Sequence, residues 1–139
     1  MILLRYLWAL PTTFVGILLI LPTLLTGGKL HCHTGVLELQ GGFVRFLLTH
    51  LVTLPNGASA MTLGHVVIGR DQECLDRTRS HERIHVQQVE RWGMFFIPAY
   101  LCCSLWLRLR GYDGYLDNPF EVEAYAKAPC GERPLKNEE

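Results

Sequence analysis

Apolar and polar positions along this chain fall into blocks of different period. Residues 6–25 carry no charged side chain. At about 1.5 Å of rise per residue such a run spans about 30 Å, the thickness of a bilayer core. It predicts a membrane helix, with Pro11 and Pro22 tolerated as they are in membrane spans. Arg5 precedes the run and Lys29 follows it, so the flanking charge leaves the orientation open. A cleaved signal peptide is the competing reading. It would need a shorter apolar centre and a small-x-small cleavage site, and no Ala-x-Ala pattern follows. We read residues 6–25 as a retained anchor.

The next blocks are shorter. Residues 29–40 predict a hairpin, with a turn at Thr34-Gly35 and with Leu37 and Leu39 alternating with Glu38 and Gln40. Residues 43–52 are apolar and too short to assign to helix or strand. Pro55-Asn56-Gly57 predicts a turn. Residues 59–69, with β-branched positions in their second half, predict one strand ending at Gly69. Residues 72–92 predict a helix with Ile84, Val89 and Trp92 at apolar spacing. Asp71 or Asp76 can cap its start and Gly93 its end. A second apolar run covers 94–107. A loop follows from Gly111 to Asn118, and residues 119–128 predict a short helix with Pro119 in its first turn.

Composition changes the picture in two ways. Hydrophobic residues make up 49% of the chain and charged residues 19%, which is apolar for a soluble domain and agrees with a membrane contribution. Thirteen basic residues balance thirteen acidic ones, so there is no electrostatic case for nucleic acid as a partner. The five cysteines form no Cys-x-x-Cys pair, which argues against a disulfide framework or a four-cysteine zinc site.

The strongest chemical signal is His81-Glu82-Arg83-Ile84-His85. Four-residue spacing on a helix puts both imidazoles on one face, where they can hold one Zn2+. Glu82 is rotated from them by about 100°, within reach of a water beside the metal, as a general base requires. A catalytic zinc usually takes a third protein ligand. The residues leave Glu121, Glu123, His31, His33, His50 and His65 open for that role. Glu121 and Glu123 point about 200° apart on a helix, so only one can readily face the metal.

His81-Glu82-Arg83-Ile84-His85, then Gln88, then Asn118-Pro119-Phe120-Glu121-Val122-Glu123-Ala124-Tyr125, resembles the gluzincin metallopeptidases. The resemblance is to the small members called minigluzincins and to the membrane CAAX-processing and heat-shock peptidases. In those families a glutamate helix supplies the third ligand through a Glu-x-x-Ala-Asp pattern. The resemblance therefore implies Glu121 as third ligand, with Ala124 at the fourth position and Tyr125 where Asp is usual, while Glu123 stays the alternate that helix geometry leaves open. It also implies that residues 60–68 form a rim strand that pairs with extended substrate. The resemblance spans about residues 59–126.

Other signals carry less. His31 and His33 share one face of a predicted strand. His65 is a candidate for substrate contact. Gln88, one turn beyond His85, can orient a site group, and Cys130 can lie over the metal. The 94–107 run separates the histidines from Glu121, so it cannot cross a membrane if all three hold one ion. A helix lying against the membrane, or packed on the active-site helix, meets that requirement.

The expected architecture is a minimal α+β zincin-like domain with a small sheet, an active-site helix, a glutamate helix and an N-terminal membrane helix. Residues 1–28 form the membrane segment, 29–128 the metallopeptidase domain and 129–139 a polar tail. The expected function is zinc-dependent hydrolysis of peptide bonds at a membrane, with a peptide or protein as substrate and lipid as a second partner. The alternative is a non-catalytic membrane protein with a structural or vestigial zinc site, and a third reading is a metal-free scaffold.

Overall fold

The computed structural model describes residues 2–52, 54 and 57–130. The expected turn at Pro55-Asn56 and the tail beyond Cys130 lie outside them. The architecture is mixed α+β. Two helices, α1 (Ile2–Leu18) and α2 (Ile20–Leu25), lead into strands β1 (Lys29–His33) and β2 (Val36–Gln40). Helix α3 (Gly42–His50) is followed by β3 (Ala60–Leu63) and β4 (Val66–Gly69), then by α4 (Gln72–Trp92). A 3-10 turn at Gly93–Phe95 leads to α5 (Phe96–Leu109), and α6 (Pro119–Lys127) comes last.

The four strands form one sheet in the order β1-β2-β4-β3. The outer pairs are antiparallel and the central β2–β4 pair is parallel, with Leu37 opposite Val66 and Gln40 opposite Gly69. The hairpin at 29–40 is as expected. Thr34 and Gly35 both take positive φ, the requirement of a tight two-residue hairpin turn.

The strand expected over 59–69 is instead a hairpin, broken at Gly64-His65. Gly64 has φ +69°, and a Cβ there would lie 2.2 Å from Thr13 Oγ1. The turn therefore forms where α1 crowds the backbone, a contact invisible in local periodicity. The ambiguous 43–52 run is helical because α3 has a sheet face to cover: Val44 and Leu48 are buried with Leu39, Val66 and Ile68.

Helix α4 covers the other face through Leu75 and Val86 against Val36 and Val67. Arg79 pins it to the sheet with paired bonds to Glu38, Nε to Oε1 at 2.8 Å and Nη2 to Oε2 at 2.9 Å. At its start the Asp71 carboxylate accepts from Cys74 N at 2.8 Å, and Gly93 ends it. Beyond α4 lies a third cluster in which Ala9, Val89, Phe96 and Phe120 draw together α1, α4, α5 and α6.

Residues Leu3–Leu25 are long and apolar enough to cross a membrane. Ala9, Thr12 and Gly16 of this segment face inward, and a Cβ on Gly16 would meet Val66 Cβ at 2.5 Å. Leu3, Leu4, Leu7, Leu10 and Phe14 face outward. The run Gln72–Leu109 passes the same length and composition test. Its first helix carries the charged side chains that pin α4 to the sheet, and we read α4 as part of the folded domain. On α5, Phe96 is buried while Leu101, Leu105, Trp106 and Leu109 are exposed.

Candidate metal centre

Each site residue is held by an element whose local sequence explains it. His81, Glu82 and His85 lie in the middle of α4, on its buried side. Glu121 lies in the first turn of α6. Asn118 caps that helix by accepting from Phe120 N at 3.1 Å. The Asn118 amide donates to Tyr100 O and Ser104 Oγ on α5 at 3.1 and 2.9 Å, so the start of α6 is tied to its neighbour. Phe120 and Ala124 are buried against α4, and Ala124 permits close approach. This is what turns Glu121 inward.

Donor atoms of three residues meet. His81 Nε2 is 3.2 Å from Glu121 Oε2, His85 Nε2 is 3.4 Å from Glu121 Oε1, and the two Nε2 atoms are 3.2 Å apart. Among the described residues this is the group of His, Cys, Asp and Glu side chains whose donors converge. Zinc–ligand bonds of about 2.0–2.2 Å in tetrahedral geometry require donor–donor separations of about 3.3–3.6 Å. The observed separations, which run to both Glu121 oxygens, have nearly that size, so the residues fit a tetrahedral cation with one further position.

The surrounding bonds fix the orientation of the donors. Gln88 Oε1 lies 2.8 Å from His85 Nδ1, which leaves Nε2 of that ring for a metal. The Gln88 amide donates to Phe120 O at 2.9 Å and to Glu123 Oε2 at 2.8 Å. Glu123 thus stands outside the triangle, paired with Lys127 and Arg91, and acts on His85 through Gln88. Tyr100 donates to Glu121 Oε1 at 2.7 Å. Thr62 on β3 donates to Glu82 Oε2 at 2.7 Å.

Electrostatics follow from burial and from this crowding. Burial pushes the Glu82 carboxyl above its ordinary range, against the lowering effects of His85 and the Thr62 hydrogen bond. Burial alone would depress His81, but Cys130, Glu121 and Glu82 outweigh it and hold the imidazole at about 10. His85 is raised in the same way, against its own burial, by Glu121 and Glu82. Burial works against ionised Glu121, yet the two imidazoles hold it at about 2. Burial and the neighbouring Glu121 raise Tyr100, keeping it a neutral donor.

The remaining candidates lie elsewhere. His31 and His33 are on β1, which is exposed along its length. His50 stacks on Phe46 at the end of α3. His65 sits in the β3–β4 turn among Thr13, Tyr6 and Glu90, none of them a member of the triangle. Sequence reasoning missed Tyr100 and Thr62. Tyr100 was hidden in an apolar run, though its spacing from Ser104 put two hydroxyls on one face of α5.

The chain matches no family model, no curated protein and no solved structure.

Proposed function

We propose that this protein is a small, membrane-associated zinc peptidase of zincin-like architecture, related to the gluzincins. The observation that carries the reading is the convergence of His81, His85 and Glu121, whose nearest donor atoms are 3.2–3.4 Å apart, beside a buried carboxylate one residue from His81. Zinc held there would supply Lewis acidity toward a scissile carbonyl and toward water. Glu82 accepts a proton from the attacking water as its oxygen bonds to the carbonyl carbon. Glu82 then returns that proton to the amine as the C–N bond breaks. Thr62 orients Glu82, Gln88 orients His85, and Tyr100 fixes one oxygen of Glu121.

The substrate class is an extended peptide. Strand β3 is at the edge of the sheet and pairs with β4 on one side only. Its other side offers backbone donors and acceptors for strand addition, and its Thr62 touches the base. Lipid is the second partner, through Leu3–Leu25 and the exposed apolar side of α5.

One observation favours the alternative of a structural zinc: His81, Glu82, His85 and Glu121 are only 2, 6, 6 and 4% exposed. Elemental analysis and cleavage of a peptide library by the full-length, tag-free protein separate the readings. The expected result is one zinc per chain and hydrolysis. In Glu82→Gln the zinc stays and the rate falls by about 10²–10⁴. Zinc without hydrolysis in the wild type supports the structural reading. A metal content no higher than that of a His81→Ala, His85→Ala double variant overturns the metal centre.

A further inference from the structure

Away from the metal centre, a cleft of about 430 Å³ lies between α3 and the start of α4. Arg45, Phe46 and His50 line it from α3, and Arg70, Asp71 and Cys74 line it from the start of α4. None of the metal-centre residues reaches it. Its character is basic. The Arg45 side chain is exposed and makes no hydrogen bond or ion pair among the described residues. Arg70 Nη2 donates to Ser59 Oγ at 3.3 Å, and Arg77 Nη2 on α4 donates to the same oxygen at 3.4 Å. Two guanidiniums thus meet at one hydroxyl, where like charges repel. Helix α4, 21 residues long, adds the positive end of its dipole at this point. Asp71 is the one acid among the lining residues, and its carboxylate is committed to Cys74 N. The complementary occupant is an anion with several acceptor oxygens.

The position of the cleft selects the source of that anion. Gly42, which also lines it, sits against Thr26, the residue that follows the apolar segment. A Cβ on Gly42 would be 2.6 Å from Thr26 Oγ1, and that oxygen accepts from Phe43 N at 2.7 Å. Leu24 and Leu25 before Thr26 are exposed, and so are Phe46 in the cleft wall and Leu51 beyond α3. Basic groups therefore begin where exposed apolar ones end. In a bilayer the phosphates lie in the same relation to the hydrocarbon, just outside its edge.

We propose that this cleft binds the phosphate headgroup of an anionic phospholipid, with Arg45 and Arg70 as the principal contacts. The proposal rests on reading Leu3–Leu25 as a membrane segment and is independent of the metal centre. Phosphate oxygens accept from both guanidiniums and relieve their repulsion, while the acyl chains stay with the apolar segment. The site fixes the height of the domain at the membrane surface.

The test uses the full-length protein. Flotation with phosphatidylcholine vesicles reads the membrane segment alone, and the wild type and every variant should float. Native mass spectrometry of the detergent-solubilised protein then titrates phosphatidylglycerol against phosphatidylcholine with the same acyl chains. One phosphatidylglycerol should bind the wild type in preference. Arg45→Gln and Arg70→Gln should each weaken it by about fivefold, the worth of one basic residue at an anionic lipid surface. Arg45→Gln removes no bond within the fold, so its loss reads the lipid and not stability. Asp71→Asn, which keeps a cap and removes the acid, should tighten binding. Arg110→Gln, at the exposed end of α5, should leave it unchanged. Equal binding of the two lipids by the wild type overturns the proposal. So does an Arg45→Gln, Arg70→Gln double variant that keeps the wild-type preference. An equal loss in Arg110→Gln marks general surface charge and overturns it too. Displacement of phosphatidylglycerol by equimolar inorganic phosphate marks a site for the free anion and overturns the lipid assignment. A wild type that fails to float with phosphatidylcholine vesicles overturns the membrane reading itself, and that arm tells it apart from the other outcomes.

Discussion

Two histidine–glutamate clusters among the described residues solve opposite problems. At His65 every polar atom finds a protein partner: Nε2 meets Glu90 Oε1 at 3.2 Å and Nδ1 meets Thr13 Oγ1 at 3.4 Å. The second Glu90 oxygen is 3.5 Å from Arg5, and the ring stacks on Tyr6 with centroids 4.0 Å apart. At His81 and His85 two imidazole nitrogens and a carboxylate face one another, and no Lys or Arg pairs with Glu121 among the described residues. The first cluster is closed by the protein and fastens α1 to α4. The second brings together donors that could hold a cation. Residue type alone does not separate a structural histidine from a ligand. The number of partners left over does.

The comparison can be broken most decisively at the metal. His81→Ala with His85→Ala should abolish stoichiometric zinc, whereas His65→Ala should keep it and lower stability by about 1–3 kcal/mol, the cost of leaving buried partners unmatched. Elemental analysis together with denaturant unfolding reads both. Zinc loss in His65→Ala would erase the distinction.

A smaller difference sharpens it within α6. Glu121→Ala removes a donor of the triangle and should weaken zinc by more than about 100-fold. Glu123→Ala frees Gln88 and should cost less than about 100-fold, the range of an outer partner. Competitive chelator titration of both variants checks this, and a larger loss in Glu123→Ala would reverse the assignment.

The smallest effect concerns the helix that both clusters share. Asp71→Ala should cost about 1 kcal/mol as a lost cap, measured by denaturant unfolding, without changing zinc content. Backbone and side-chain bonds to Cys74 depress the folded-state pKa of Asp71. Its contribution is therefore complete above the ordinary carboxylate value and fades as pH falls toward the depressed folded value. The difference between wild type and Asp71→Ala should shrink in acid. A gap that persists at low pH would assign the effect to something other than the ionised cap.

Much of this was legible along the chain because it is local. Four-residue spacing puts His81 and His85 on one side of a helix before any partner is known, and Asp71, Gly93 and Asn118-Pro119 mark where α4 and α6 begin or end. The uncharged run before Lys29 announces an apolar helix by composition alone. What periodicity cannot carry is who approaches whom. Residues 42–50 became a helix because a sheet face needed cover, and 59–69 became a hairpin because α1 crowds Gly64. Glu121 and Glu123 had near-equal claims on a helical wheel. The choice between them came from the packing of Phe120 and Ala124 on α4, which turns one carboxylate inward and leaves the other to Lys127 and Arg91. Spacing along a helix is set by covalent geometry, so sequence determines it. Convergence of side chains far apart in the chain is set by which surfaces bury each other, so only the tertiary structure decides it.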